Sequence, residues 1–430
     1  MRKITILFLL VAYTGMGQSI TDTIQLMHYN LLNYRNLTSY CTVSNNNPSD
    51  KDEHMSTIIG YLLPDIVTVN EMVGDGGTGA NRLLTNALNQ DGRKFYKQAS
   101  YSANSSLCNM LYYNKNKFEL HRQDKIDRAL NKTQLVRQID VYDLYYKDQS
   151  QLELGDTQFL RVFVGHLKAG NSTSDVSERA KATEAVMDYH ASHYSSRYSY
   201  LFSGDFNTYT SNELGFINLV GNSNTSIRFK DPIKSSGTWN NNSAFASVHT
   251  QSTHSSGPCF VGGGLDDRFD FILCGQEILS NQRGYGYVNG SYQALGNDGN
   301  HFNSNIITGT NNSVSATVLN ALYKMSDHLP VIMQLKTNRT IVGVFSDRFN
   351  NFLVTNNPVK DVLYWKSKFP YQGQLEIANM QGQVVLSQYV DTKTSWNQLD
   401  VSALANGMFR LIFRVNGYPL AQKKVIKIPH

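Results

Sequence analysis

The sequence predicts a mixed α/β domain followed by a small β-sandwich, on three observations. Between residues 24 and 335, apolar strand-like runs end abruptly in acid, amide or imidazole residues. Helical periodicity lies between them: Met55, Ile58, Ile59 and Leu62 keep the i, i+3, i+4, i+7 spacing that collects apolar side chains on one helix face. From residue 345 onward the pattern changes to short β runs separated by turn-like QG and NG pairs. Alternating strands and helices imply layers of helix on sheet, with polar groups gathered at strand ends.

Taken in order, MRKITILFLLVAYTGMGQ has a basic start, an apolar stretch and small residues ahead of Gln18, the pattern of a signal peptide over residues 1–17. The alternative is a buried N-terminal strand. IQLMHYN then ends at Asn30, and DIVTVNE, after Pro64, ends at Glu71. YNKNKF, residues 113–118, reads as a hairpin, and FLRVFVGH ends at His166. SERAKATEAVMDYHASHY reads as a helix with Ser177 as its N-cap. YSYLFSGDFN delivers Asp205 and Asn207, RFDFILC places Arg268 and Asp270 on one strand face, and MSDHLPVIMQL presents Asp327 and His328 just before a strand. Residues 235–265 and 283–325 read as long Gly/Ser/Asn-rich loops.

Net charge gives no support for a polyanion partner. The formal net charge is +5, but residues 345–430 alone carry 10 Lys+Arg against 5 Asp+Glu. Residues 18–344 carry 27 against 29, so the main domain is not basic. No stretch after the signal reaches the length of a membrane-spanning helix. Cys41, Cys108, Cys259 and Cys274 allow two disulfides in an exported protein, with three possible connectivities, and Cys274 reads equally as a buried free thiol.

Glu71, Asp205 and Asp327, with Asn30 and Asn207, form a set of hard oxygen donors on separate strand ends. Carboxylates brought together repel, and oxygen-rich sets suit Mg2+, Mn2+ or Ca2+ rather than zinc. His166 and His328 add imidazoles able to hold or protonate an oxyanion. This combination matches the needs of phosphoester hydrolysis: neutralised phosphate charge, an oriented water and a stabilised leaving oxygen. A carboxylate such as Asp270 beside His328 would fix its tautomer and raise its pKa.

The motifs YN at 29–30, PDIVTVNE at 64–71, GHLKAG at 165–170, GDFN at 204–207, RFD at 268–270 and SDHLP at 326–330 stand in one order along residues 24–336. In that order they resemble the endonuclease/exonuclease/phosphatase superfamily, the fold of deoxyribonuclease I, apurinic endonucleases and neutral sphingomyelinases. The resemblance implies a four-layer sandwich, two packed β-sheets flanked by helices, over residues 18–344. It implies that Glu71 is the principal metal ligand, with Asn30 beside it and Asp327 contributing. It further implies that Asp205 orients or deprotonates the attacking water and that Asn207 grips a phosphate oxygen. His328, paired with Asp270, would contact the phosphate, and His166 would face the leaving group. Asn70 departs from the family's common Gln, which puts substrate positioning in doubt, and His28 stands where Thr is common, as core or as a neighbour of the site. Arg268 reads either as a site residue or as a local ion pair. His190, His193, His249, His254 and His301 read as solvated.

In the tail, NPVKD at 357–361, MQGQVV at 380–385, LDVSALANGMFRL at 399–411 and KKVIK at 423–427 resemble the C-terminal sorting domain of type IX secretion. The resemblance implies export through the periplasm to the cell surface or medium, with the secretion translocon as partner; a carbohydrate-binding β-sandwich is the alternative for residues 345–430. The expected activity is a secreted, divalent-metal-dependent phosphodiesterase acting as a monomer, first as an extracellular nuclease on DNA or RNA. Lys168, Arg161, Arg179, Lys181 and Arg268 are the candidate basic contacts. The alternatives are a sphingomyelinase-like lipid phosphodiesterase, for which Trp239, Phe245 and Phe260 would supply apolar contact, a phosphatase of small molecules, and an inactive adhesion scaffold.

Overall fold

A computed structural model describes residues 19–148, 152, 157–340, 352–367, 372–391, 396–415 and 418–429. The expected signal peptide and the expected boundary at 344/345 lie outside the described residues.

The first sheet is built around the long strand β1 (Ser19–Tyr34), which pairs in parallel with β2 (Ile66–Val73) after the crossover helix α1 (Pro48–Leu62). β4 (Leu107–Asn114) extends it beyond β2, and β13 (Val331–Thr340) runs antiparallel to β1 on the other side. The second sheet places β5 (Phe118–Arg128), β6 (Gln134–Tyr146), β7 (Phe159–His166), β8 (Tyr198–Asp205) and β10 (Asp270–Gly275) side by side. Its one parallel pair, β7 with β8, is again joined by a helix, Thr173–Ser192.

Side-chain alternation makes four layers from these elements. Leu26, Ile66, Leu111, Val162, Leu201, Ile272 and Met333 face the other sheet and form one inter-sheet core. The opposite faces carry Met27, Val67 and Val69 against Met55, Ile58 and Ile59 of α1, and Phe163, Phe202 and Phe271 against Val186 and Phe216. The helix–sheet–sheet–helix order is the expected sandwich. The expected hairpin at residues 113–118 does not form: β4 ends at Asn114 in the first sheet, and the chain turns there into β5 of the second sheet, which pairs with β6 instead.

Several local expectations need correction. The second crossover helix begins earlier, because Ser172 and Asp175 form a reciprocal capping box that satisfies the first free N–H groups; Ser177 lies inside the helix. The two long loops hold a 3₁₀ turn at Ser243–Val248 and a full helix at Ala316–Met325, whose buried Val318, Leu322 and Met325 repeat at helical spacing. His190, His249, His254 and His301 are buried, leaving only His193 of the five exposed as expected. His190 packs as a flat ring against Tyr200, with centroids 4.3 Å apart. Trp239 is fully buried too, which removes it as a lipid-contact residue. One disulfide forms, Cys41–Cys259, while Cys108 and Cys274 are buried free thiols.

The tail strands form sheets of three and four strands around a shared core containing Trp365, Ile377, Leu411 and Phe413. This is the expected β-sandwich. No helix among the described residues is long and apolar enough to cross a membrane.

Leu201 has 1% of its surface exposed at the centre of the inter-sheet core. Leu201→Ala should therefore lower stability by about 2–5 kcal/mol, transfer and cavity terms together, read by urea unfolding. A loss below about 1 kcal/mol would contradict this packing.

Candidate active site

The inter-sheet face changes chemistry toward one edge. Leu26 is followed on its face by His28 and Asn30, Ile66 by Thr68 and Asn70, Val162 and Val164 by His166, and Leu201 by Ser203 and Asp205. Parallel strands finish at this edge, and antiparallel partners begin there. Registers therefore set Asn30 beside Asn70, His166 beside Asp205, and Asp205 beside Asp270. Glu71 breaks the alternation: a register irregularity spans Val69 to Met72, and its φ of 57° is left-handed. A non-glycine residue there costs about 1–2 kcal/mol, and this strain turns its carboxylate toward the other site residues. Asn207, at φ 51°, is turned the same way after the end of β8.

Asn30 is the central donor. Its Nδ2 lies 3.0 Å from Asp205 Oδ2, 3.2 Å from Glu71 Oε1 and 3.4 Å from His328 Nε2. Its Oδ1 accepts the Leu32 N–H at 3.0 Å. In this arrangement the amide presents its N–H groups to the carboxylates. His166 Nε2 lies 3.4 Å from Asp205 Oδ2 and 3.7 Å from Glu71 Oε1. His328 Nδ1 bonds Asp270 Oδ2 at 2.6 Å, while its Nε2 lies 3.8 Å from Asp205 and 4.0 Å from Asp327 Oδ1. Asn207 donates its backbone N–H to Asp205 Oδ1 and its amide to the Leu167 carbonyl.

The electrostatics divide the two imidazoles. Burial works against charge on His328, but Asp270 above all, then Asp205 and Asp327, outweigh it and hold the ring well above its ordinary value, as an imidazolium. Burial lowers His166 well below its ordinary value, reinforced by Arg137, so it is neutral. Burial, opposed by His328, pushes Asp205 up to about 7. Burial also raises Asp270, but His328 and His28 more than reverse this and hold it far below the carboxylate range.

The donor set fits a hard divalent cation. Asp327 Oδ2 is held by the Val261 N–H at 2.9 Å, while its buried Oδ1 has no hydrogen-bond partner among the described residues. Glu71 Oε2 is likewise held by the Asn33 N–H at 2.9 Å. Each carboxylate thus has one oxygen anchored by backbone, and an oxygen-rich, thiol-free group of this kind suits Mg2+, Mn2+ or Ca2+. Asp205, Asp270 and His328 also gather their ligand atoms within 4.8 Å of one another. There, however, the short Asp270–His328 bond already occupies a ring nitrogen.

Sequence reasoning missed four residues. The Gln251 side-chain amide lies 2.7 Å from His328 Nε2, and an N–H on that ring nitrogen requires the amide oxygen to face it. Lys51 is buried and donates to the Leu31 and Leu32 carbonyls at 2.7 and 2.5 Å. Burial lowers its pKa to about 7 against the pull of Asp327 and Glu71. Asn109 bonds Asn70, whose Oδ1 accepts the Asp205 N–H. Arg137 donates to the Leu167 carbonyl and lines a cleft with His166, Ser102 and Gln138. A lone Arg on a strand of alternating polarity was its only signal.

The expected basic contacts are spent internally. Arg161 pairs with Asp143, Arg179 with Glu213, Arg268 with Asp231, Lys168 with Asp175 and Lys181 with Glu178. Arg268 is thus a buried local ion pair, whereas His28 is a neighbour of the site, 3.6 Å from Asp270.

His328 should titrate above the ordinary imidazole range, and Asp270→Asn should bring it below that range, because burial then acts against a weaker carboxylate field. Imidazole NMR, assigned by the signal lost in His328→Gln, measures this. An unchanged midpoint in Asp270→Asn would contradict the assigned pairing.

Comparison with known proteins gives two findings. Residues 356–427 match the family model described as the secretion system C-terminal sorting domain. No curated protein matches the chain. Among solved structures, the chain is similar to Danio rerio TDP2 complexed with single-strand DNA product, at 13% identity and TM-score 0.47, over 73% of this chain and 99% of that one. It is similar to the human Nocturnin catalytic domain with bound sulfate, at 14% identity and TM-score 0.46, over 74% and 96%. It is also similar to an endonuclease/exonuclease/phosphatase protein of Beutenbergia cavernae, at 13% identity and TM-score 0.43, over 94% and 99%. The chain therefore ends in a secretion sorting domain, and its structural neighbours are endonuclease/exonuclease/phosphatase family proteins.

Proposed function

We propose that the two-sheet domain is a divalent-cation-dependent phosphoesterase, exported by the type IX route through its sorting tail. One observation carries the reading: Glu71, Asp205 and Asp327 converge at one sheet edge with a neutral His166 and an imidazolium His328 oriented by Asp270. Buried carboxylates at this spacing have no use as a structural core, whereas phosphoester hydrolysis needs each of these charges.

Glu71 and Asp327 would hold Mg2+, Mn2+ or Ca2+, with Asn30 orienting the carboxylates around it. Once bound, that cation neutralises phosphate charge and acts as a Lewis acid toward its oxygen. Asp205, with a proton affinity poised near neutrality, orients the attacking water and takes its proton. The His328 N–H at Nε2 donates to a phosphate oxygen and balances charge gathering on phosphorus. Asn207, locked beside Asp205, adds an amide donor. His166 stands on the other side of Asp205, toward the leaving group, and Arg137 beside it supplies a positive group to that side.

The substrate class we put forward is nucleic acid outside the cell, met by a short footprint. The internal pairing of Arg161, Arg179, Arg268, Lys168 and Lys181 leaves few cations for backbone phosphates. The same observation favours a second reading, a small soluble phosphoester held mainly at its reacting phosphate.

One assay series tests both. With Mg2+ present, plasmid DNA, RNA, sphingomyelin vesicles and p-nitrophenyl phosphate are compared, with EDTA and Asp205→Asn as controls. Activity should fall to background in EDTA and by about 100-fold or more in Asp205→Asn. DNA or RNA cleavage should show a shallow salt dependence, since each neutralised phosphate contributes a log–log slope of only about −0.9. Cleavage of the small ester alone selects the second reading, and cleavage of vesicles alone rejects both. Full activity after chelation would overturn the mechanism.

A further inference from the structure

The two anchored carboxylate oxygens are held by segments that one covalent bond joins. Asn33, near the irregular C-terminal end of β1, gives its N–H to Glu71 Oε2 at 2.9 Å, and its side-chain amide lies 3.7 Å from Cys41 Sγ. Val261, two residues beyond Cys259, gives its N–H to Asp327 Oδ2 at 2.9 Å. Cys41 and Cys259 are bonded across a separation of 218 residues. The disulfide therefore ties together the donors that aim both carboxylates.

The Val261 segment has no regular secondary structure, and Asn33 sits in β1 where its register with β2 is irregular. Val261 precedes three glycines, two of them, Gly263 and Gly264, at positive φ. Its carbonyl accepts a bond from Ser252 Oγ. Asn33 and Leu32 are themselves left-handed, at φ 49° and 44°. Glycine-rich and strained surface segments open locally at low cost. If either segment opens, a buried carboxylate oxygen loses its donor and the carboxylate is free to rotate.

We propose that the Cys41–Cys259 disulfide is a positioning element for cation binding: it holds the Asn33 and Val261 N–H groups that orient Glu71 and Asp327. This rests on the phosphoesterase reading of the site. It makes the site fully formed only where disulfides persist, which is the compartment the sorting tail addresses.

The test measures Mn2+ binding by calorimetry on the full chain. It uses wild type, Cys41→Ala/Cys259→Ala, and folded wild type treated with dithiothreitol, which takes up the disulfide's oxidising equivalents as its own cyclic disulfide. Circular dichroism confirms folding in each sample. Loss of partners that orient metal ligands weakens affinity by about 10–100-fold, so the Mn2+ Kd should rise at least about tenfold in both modified forms. Dithiothreitol should not change the double variant. If the double variant fails to fold, reduction of the folded wild type gives the same reading. An unchanged Kd alongside a lowered Tm would overturn the proposal, leaving the disulfide a stabiliser only. Absence of Mn2+ binding by wild type would instead contradict the site reading itself.

Discussion

The structure turns on one constraint: negative charge buried at the polar end of an apolar core must be matched where it lies. Asp205, Asp270 and Asp327 are each at most 2% exposed. Carboxylates so placed without partners would cost several kcal/mol each. The His328–Asp270 pair answers part of this cost at 2.6 Å, Lys51 is attracted by Asp327 and Glu71, and Arg137 by Glu71 and Asp205. Asp327 Oδ1, buried with no hydrogen-bond partner among the described residues, marks what remains, and a divalent cation is the partner that its chemistry invites.

The same constraint explains where strain is tolerated. Strand alternation alone brings Asn30, Asn70, His166 and Asp205 to the inter-sheet edge, but it sends Glu71 to the wrong face. Left-handed backbone at Glu71 and Asn207 corrects this at a cost of about 1–2 kcal/mol each. The inter-sheet core and two helical layers supply enough burial to hold those conformations. Function, in this view, is concentrated where apolar alternation stops and unusual torsions begin.

Much of this was legible from sequence because the informative residues are local. A strand that ends or begins at an acid, amide or imidazole advertises its edge, and six such motifs name most of the residues that meet there. What was illegible depends on distant partners. Gln251 meets His328 across 77 residues, and Arg268 is neutralised by Asp231 across 37, so neither pairing leaves a trace in its own neighbourhood. His190 is buried against expectation because burial keeps its imidazole neutral and the ring packs among aromatic side chains, whereas His301 is held inside by Asp298 and the Thr308 carbonyl. The cap at Ser172 was missed because several hydroxyls compete there, and the reciprocal bond with Asp175 decides among them.

The account stands on a cation held by Glu71 and Asp327 at this edge. Crystals grown with Mn2+ and recorded at the manganese absorption edge locate such an ion directly, without reference to any substrate. An anomalous peak is expected within bonding distance, about 2.0–2.6 Å, of a carboxylate oxygen from both Glu71 and Asp327. A peak bound by neither residue, or none at this edge under millimolar Mn2+, would contradict it.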